Sequence, residues 1–128
     1  MSREIKFRAF EIIEKTMHYN VESGIYEDPD EIIPFDSILG LGRFIVMQYT
    51  GQKDKKGIKI YEGDVVKESR KTFKNKKYFV VVWNNDIGSY YFKPIDKTEI
   101  ARPCFNIGTI KSLEVIGNIY ENPELLSS

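Results

Sequence analysis

Two carboxylates flank a glycine in the stretch IKIYEGDVV, residues 58–66. Residues i and i+2 of an extended segment share a face, so Glu62 and Asp64 can act as the paired carboxylates of a hydrolase. The same residues also fit a turn, in which Gly63 bends the chain and Asp64 accepts hydrogen bonds from nearby backbone N–H groups. The sequence offers no obvious partner to complete a catalytic site. We therefore interpret Gly63 and Asp64 as structural turn residues, with the hydrolase using Glu62 and Asp64 as the alternative.

Other residues that carry enzyme chemistry are scarce in this chain. It has one histidine, His18, and one cysteine, Cys104, whereas a structural zinc site needs four nitrogen or sulfur ligands. His18 alternates with the apolar residues of a strand-like segment, so we expect it to face solvent or another subunit. For Cys104 we expect an inert thiol. Nucleophile-elbow, Walker A and dinucleotide-binding motifs are missing from the sequence. We expect no enzyme, no metal and no cofactor.

The run KESRKTFKNKK, residues 67–77, is strongly basic and contains one acidic residue, Glu68. Lysine and arginine side chains around an aromatic ring can neutralise phosphates while the ring stacks on a base. This hypothesis predicts a nucleic-acid site made of Lys67, Arg70, Lys71, Phe73, Lys74, Lys76 and Lys77. The competing interpretation is a solvated hairpin loop whose lysines keep its strands from pairing edge to edge with other molecules.

By contrast, every formal charge from residue 22 to residue 36 is acidic. This segment, above all from Asp28 to Asp36, is a candidate surface for a protein partner, as are exposed strand edges. The acidic and basic segments can also attract each other, within one chain or between the subunits of a homo-oligomer. Three kinds of partner therefore stay open: a host or phage protein, a nucleic acid and a second copy of the chain.

The length and composition of the chain indicate a soluble globular protein. It has 128 residues, with 19 acidic and 19 basic, and this length allows one domain without disulfides or a structural metal. No segment has the unbroken apolar length of a transmembrane helix, and the charged start MSREIKFRAF is unlike a secretory signal. A single cysteine suits a reducing compartment, so we expect a cytoplasmic protein that does not bind a membrane.

Apolar and polar residues alternate with a period of two along most of the chain, and turn residues separate the alternating segments. Many short strands of this kind are typical of a small barrel or sandwich. The segment YFVVVW, residues 78–83, is apolar on both faces, which predicts a central strand.

Four stretches stand in order along the chain: IKFRAF (5–10), VMQYTGQKDKKGIKIYEGDVV (46–66), VVVWNN (80–85) and LEVIGNIYENPELL (113–126). Together they resemble the YopX family of bacteriophage and prophage proteins, although Phe10 stands where the family commonly has tryptophan. The resemblance implies an SH3-type β-barrel, a phage or prophage origin and a bacterial cytoplasm. It implies no activity and no catalytic residues, because the family has none assigned.

With this resemblance, we predict one mainly β domain in four parts. These are an N-terminal β-hairpin (1–21), an irregular acidic loop (22–42), a small SH3-like β-barrel (43–120) and a short C-terminal helical turn and tail (121–128). Leu125 and Leu126 are expected to dock the helical turn. The predicted function is a non-enzymatic, macromolecule-binding accessory protein of a phage or prophage, with self-association as a further expectation.

Overall fold

The computed structural model describes residues 4–28, 30–68, 77–96 and 112–126 of the chain. Within these ranges the protein is mainly β, as predicted, and its paired strands are antiparallel. The contacts divide the chain into two compact units: unit 1 is Met1–Tyr49 and unit 2 is Thr50–Ser128. The boundary falls inside the strand that was expected to open the barrel. The SH3-like assignment stays a prediction.

The described strands are β1 (Phe7–Glu11), β2 (Thr16–Tyr19), β3 (Ile25–Asp28), β4 (Glu31–Ile33), β5 (Phe44–Lys53), β6 (Lys59–Tyr61), β7 (Asp64–Glu68), β8 (Lys77–Asn84), β9 (Ser89–Pro94) and β10 (Leu113–Asn118). One short helix, α1 (Phe35–Gly40), and two 3₁₀ turns (Val21–Ser23 and Pro123–Leu126) accompany them. Residues 106–111, NIGTIK, for which the sequence pattern predicts a further short strand, lie outside the described residues.

In unit 1, strand β1 lies between β2 and β5 and is antiparallel to both. The predicted N-terminal hairpin is therefore present, and its register pairs Arg8 with Tyr19 and Ala9 with His18. Alternation places one face of the hairpin toward the core of the unit. The buried apolar side chains of that core are those of Ala9, Val21, Ile25, Ile38 and Phe44.

The acidic segment 22–42 has more regular structure than the irregular loop that we expected. Strands β3 and β4 form a two-stranded antiparallel hairpin in which Ile25 pairs with Ile33, and α1 follows directly after Pro34. These strands have only four and three residues, and most of their side chains are exposed. Such short strands leave almost no periodic signal in a sequence, so turn-forming residues dominate the prediction.

Unit 2 contains a four-stranded antiparallel sheet with the order β10–β7–β8–β9. Strand β8 has a neighbour on each side and buries Phe79, Val80 and Val81, which confirms the predicted central position. The last residues of β5 also belong to this unit, where the Thr50 hydroxyl donates a hydrogen bond of 2.8 Å to the Ile60 carbonyl. The core cluster consists of Ile60, Val66, Phe79, Val81, Phe92 and Leu113.

The chain ends in the predicted helical turn, which begins at Pro123. The Asn122 carbonyl accepts the Leu125 N–H of this turn at 3.0 Å, and the Asn122 side-chain oxygen accepts the Asn118 N–H at 3.2 Å. Leu125 is partly buried, but Leu126 remains 46% exposed. Of the two leucines expected to dock this turn, Leu126 thus keeps much of its side chain in solvent.

Candidate functional site

The Gly-Asp pair lies at a sharp turn between β6 and β7. Gly63 has φ 88°, a left-handed conformation that favours glycine, and its N–H donates to the Val81 carbonyl at 2.8 Å. Asp64 is only 2% exposed, and its Oδ2 accepts the Tyr61 N–H at 2.7 Å. The Gly63 carbonyl accepts the Ile119 N–H at 3.0 Å. Two backbone–backbone hydrogen bonds and one from the backbone to the Asp64 carboxylate therefore hold the turn.

This geometry bears on the pairing of Glu62 with Asp64. A general acid or base must come within hydrogen-bond reach of the proton that it transfers. The Asp64 carboxylate is covered by protein and bonded to the backbone, whereas Glu62 lies in the turn and is partly exposed. The arrangement holds Asp64 at the start of β7, where its carboxylate accepts a hydrogen bond from the backbone of the same chain.

A second aspartate, Asp54, organises the turn between β5 and β6, and sequence reasoning missed it. Its Oδ1 accepts the N–H groups of Lys56 and Ile58 at 2.8 and 2.9 Å, and its Oδ2 accepts the Val115 N–H at 2.9 Å. Gly57, with φ 81°, completes the turn. An aspartate just before a lysine-glycine turn is a recognisable Asx-turn signal. The hydrogen bond from Val115 has no such signal, because Val115 lies 61 residues further along the chain.

The β5–β6 turn places its lysines next to Glu114 on β10. The ammonium nitrogens of Lys55, Lys56 and Lys67 lie 3.9, 2.6 and 3.7 Å from oxygens of the Glu114 carboxylate. The hydrogen bond from Lys56 lowers the pKa of Glu114, and it raises the pKa of Lys56. Three cations share one anion, so the group keeps an excess of positive charge.

An aromatic ring completes this surface. Glu114 pairs with Lys67 on β7, and Lys67 pairs with Tyr78 on β8, so the three side chains form one row on one face of the sheet. Tyr78 is 39% exposed. We define the basic patch as Lys55, Lys56, Lys67 and Tyr78. Sequence reasoning proposed only Lys67 of these four. Strand register brings Tyr78 beside it, and the hydrogen bond between Asp54 and Val115 brings the turn with Lys55 and Lys56.

The remaining members of the sequence-predicted nucleic-acid site are placed only in part. Lys77 begins β8, opposite Glu68 at the end of β7. Arg70, Lys71, Phe73, Lys74 and Lys76 lie outside the described residues. The strands on either side of them, β7 and β8, are antiparallel neighbours.

Unit 1 contains a cleft of about 490 Å³, which we call the acidic cleft. Its lining combines three aromatic rings, one isoleucine, three carboxylates and one guanidinium: His18, Ile25, Tyr26, Glu27, Asp28, Glu31, Arg43 and Phe44. His18 was expected to face solvent or another subunit. It is instead partly buried at this cleft, edge-on to Phe44 with ring centroids 6.2 Å apart.

The side chain of Arg43 fills part of this cleft. Its guanidinium carbon lies over the Phe44 ring, 5.0 Å from the ring centroid. The Arg43 Nη2 donates to Glu27 at 2.6 Å and the Nε donates to Glu11 at 3.3 Å. The hydrogen bond with Glu27 raises the pKa of Arg43. Two carboxylates thus hold one guanidinium.

Glu11 stands behind this ion pair and is 1% exposed. Its carboxylate accepts the N–H groups of Glu14 and Ile13 at 2.6 and 3.2 Å, and so closes the hairpin turn between β1 and β2. Burial by itself raises the pKa of Glu11, but the two backbone hydrogen bonds and Arg43 outweigh burial and lower that pKa below its ordinary value.

Within the described ranges, no three His, Cys, Asp or Glu residues stand close enough together to bind a metal ion. The same part of the chain contains no helix that is long and apolar enough to cross a membrane.

The comparisons with known proteins agree with the motifs of the sequence. Residues 6–127 match the family described as YopX protein. The chain belongs to the YopX family. This YopX chain is also similar to the crystal structure of protein EF1440 from Enterococcus faecalis, with a TM-score of 0.64 and 27% identity over 98% of this chain and 99% of that one. A search of curated proteins found no match.

Proposed function

We propose that this YopX-family chain is a non-enzymatic, cytoplasmic binding protein of a phage or prophage, and that it binds single-stranded nucleic acid at the basic patch. The observation that carries the proposal is the gathering of Lys55, Lys56 and Lys67 around one carboxylate, in line with the exposed ring of Tyr78. Cations that track a phosphate backbone beside a ring that stacks on bases are the two components of single-strand binding.

The charge of unit 2 supports the same proposal. It contains fourteen basic and ten acidic residues, a formal charge of +4, although the whole chain is neutral. Three lysines contacting phosphates release counterions, and for a single strand this predicts a fall in affinity of roughly 20-fold between about 50 and 200 mM salt. The row of Lys67 and Tyr78 favours a single strand, because only unstacked bases offer a face to an aromatic ring.

A fluorescence-anisotropy titration tests the proposal with labelled single-stranded DNA and RNA of about 12 nucleotides, a length within the range of single-strand sites. We expect binding at low salt that falls steeply as salt rises, and weaker binding to duplexes. The variant Lys56→Glu/Lys67→Glu is expected to abolish binding. Lys15→Glu, an exposed charge reversal in unit 1, is the matched control and leaves binding unchanged.

The contribution of Tyr78 has its own matched pair of variants. Tyr78→Ala removes the ring and is expected to weaken binding about tenfold, within the range of one stacked base, whereas Tyr78→Phe keeps the ring and the affinity. Absence of binding at low salt, or equal binding by the wild type and Lys56→Glu/Lys67→Glu, would rule the proposal out.

A further inference from the structure

The two units carry opposite formal charges. Unit 1 has five basic and nine acidic residues, a formal charge of −4, against +4 for unit 2. Much of the acidic excess lies on the β3–β4 hairpin, which provides the carboxylates of the acidic cleft. Two copies of the chain therefore offer each other complementary surfaces, which steer encounter and fix orientation.

The structure demonstrates what kind of group the acidic cleft accepts. Arg43 fills one position, where its guanidinium donates a hydrogen bond to Glu27 and its Cζ lies over the Phe44 ring. Two further carboxylates, Asp28 and Glu31, also line the cleft, and within the described residues neither forms an ion pair with a basic side chain. Tyr26 at the same cleft is 71% exposed.

These features suit a lysine side chain as the occupant. The aliphatic stem of a lysine packs on aromatic and apolar groups while its ammonium pairs with carboxylates or lies over a ring. In this cleft the exposed ring of Tyr26 provides the apolar surface, and Asp28 and Glu31 provide the negative charge. A cleft of about 490 Å³ is within the size range of ligand pockets.

Unit 2 presents lysines in a suitable form on its β5–β6 turn. Lys53, Lys55 and Lys56 are exposed there, and no atom lies within 4 Å of a Cβ built on Gly57, so the tip of the turn is open to solvent. The three hydrogen bonds of Asp54 hold the turn in one conformation. A preordered turn loses little conformational entropy when it binds.

We propose that the acidic cleft of one copy binds the lysine-bearing turn, residues 53–58, of a second copy. The contact joins different surfaces on the two copies. Two copies that make the contact reciprocally form a two-fold dimer, and otherwise it generates rings or open chains. It does not depend on nucleic-acid binding. If both proposals hold, Lys55 and Lys56 serve two partners, and single-stranded nucleic acid competes with self-association.

Sedimentation velocity of the full chain tests the proposal between about 1 μM and 1 mM, the range that spans moderate and weak affinities. We expect self-association that weakens when salt rises from about 50 to 200 mM, because the contact is between exposed charges. The variants Asp28→Lys/Glu31→Lys and Lys55→Glu/Lys56→Glu should each raise the dissociation constant at least about tenfold, since each places like charges across the contact.

The decisive measurement is the equimolar mixture of these two variants. The basic cleft of the first then meets the acidic turn of the second, and the acidic cleft of the second meets the basic turn of the first. We expect the mixture to recover association. Lys55→Gln/Lys56→Gln, which removes charge without adding repulsion near Glu114, keeps the test valid if the double reversal fails to fold. Asp86→Lys, on the exposed β8–β9 turn, is the control and should associate as the wild type does.

A chain that stays monomeric over the whole range at low salt would overturn the proposal. So would a monomer that binds a lysine-rich peptide in the cleft, because the occupant would then be another protein. Failure of nucleic-acid binding with intact, charge-dependent self-association would overturn only the proposed function, so the two proposals fail separately.

Discussion

The two units of this chain differ in which charge is in excess at their ion pairs: carboxylates in unit 1 and ammonium groups in unit 2. In unit 1 two carboxylates, Glu11 and Glu27, hold the single cation of Arg43; in unit 2 one carboxylate, Glu114, holds three lysines. Both arrangements stabilise charged side chains with the same chemistry. They leave opposite charges unbalanced, however, so one unit keeps a negative surface and the other a positive one. The neutral charge of the whole chain is therefore the sum of two units with opposite formal charges.

The positions of these charges depend on carboxylates that bind the backbone. Asp54 accepts three backbone N–H groups and thereby presents Lys55 and Lys56, while Glu11 accepts two and orients Arg43. Removing one such carboxylate leaves two or three backbone N–H groups without their acceptor. Removing an exposed charged side chain leaves these backbone N–H groups paired. The role of these carboxylates can therefore be tested by substitution in either unit.

The largest effect is expected in unit 2, from Asp54→Ala. Loss of one buried acceptor shared by three N–H groups should lower the free energy of unfolding by about 3 kcal/mol. The release of the turn should also weaken nucleic-acid binding, because Lys56 loses its position beside Lys67. Urea unfolding and anisotropy measure the two effects.

Asp54→Asn is the matched control for this prediction. It keeps one acceptor oxygen and should recover part of the loss, and Asp86→Ala, at an exposed turn, should change the unfolding free energy by less than about 0.5 kcal/mol. An Asp54→Ala protein as stable as the wild type would show that the three hydrogen bonds do not hold the turn.

A smaller and pH-dependent effect is expected in unit 1, from Glu11→Gln. The pKa of Glu11 is lower in the folded protein than its ordinary value of 4.5. Its contribution to stability is therefore complete above that value and is lost as the pH falls through the lowered folded pKa. Glu11→Gln should lower the melting temperature at neutral pH by several degrees. Below the folded pKa the difference from the wild type should shrink.

Glu14→Gln is the control, because Glu14 is exposed and lends only its backbone N–H to this contact. Thermal melts at a series of pH values between neutral and strongly acidic give the measurement. A constant difference between Glu11→Gln and the wild type across that series would contradict a depressed Glu11 pKa.

How far the sequence predicts this molecule depends on the distance between interacting residues. The central strand around Phe79 to Val81 and the hairpin of β1 and β2 follow from local periodicity, and both were predicted. The β3–β4 hairpin was not, because its strands are too short to show a period. The contact of Lys56 with Glu114 joins residues 58 apart in the chain. It depends on the turn at Asp54, whose Oδ2 accepts the Val115 N–H of β10.

The candidate sites follow the same rule. Lys67 was predicted from a local cluster of charge, but Tyr78, Lys55 and Lys56 join it through sheet pairing and the turn at Asp54. Arg43 carries no local signal, because its partners Glu11 and Glu27 lie 32 and 16 residues away. Residues that specify a turn can be found in a sequence; residues that meet across strands need the fold.

The smallest effect on stability, and the sharpest on function, is expected from Glu114→Gln. Exposed ion pairs contribute little, so the melting temperature should stay within about 3 °C of the wild type. The basic patch, however, loses the carboxylate that pairs with Lys55, Lys56 and Lys67. Single-stranded DNA should therefore bind several-fold more tightly, with a steeper dependence on salt, because each ammonium is free to contact a phosphate.

This prediction separates two roles of Glu114. If the carboxylate only neutralises the lysines, Glu114→Gln increases affinity, and Glu114→Ala increases it equally. If the carboxylate also fixes the lysines in position, Glu114→Ala gains less than Glu114→Gln, whose amide oxygen still accepts the Lys56 hydrogen bond. Weaker binding by both variants would mean that the positioning of the three ammonium groups by Glu114 contributes more to affinity than the loss of its negative charge. Glu114 would then organise the lysines of unit 2, as Arg43 joins Glu11 and Glu27 in unit 1.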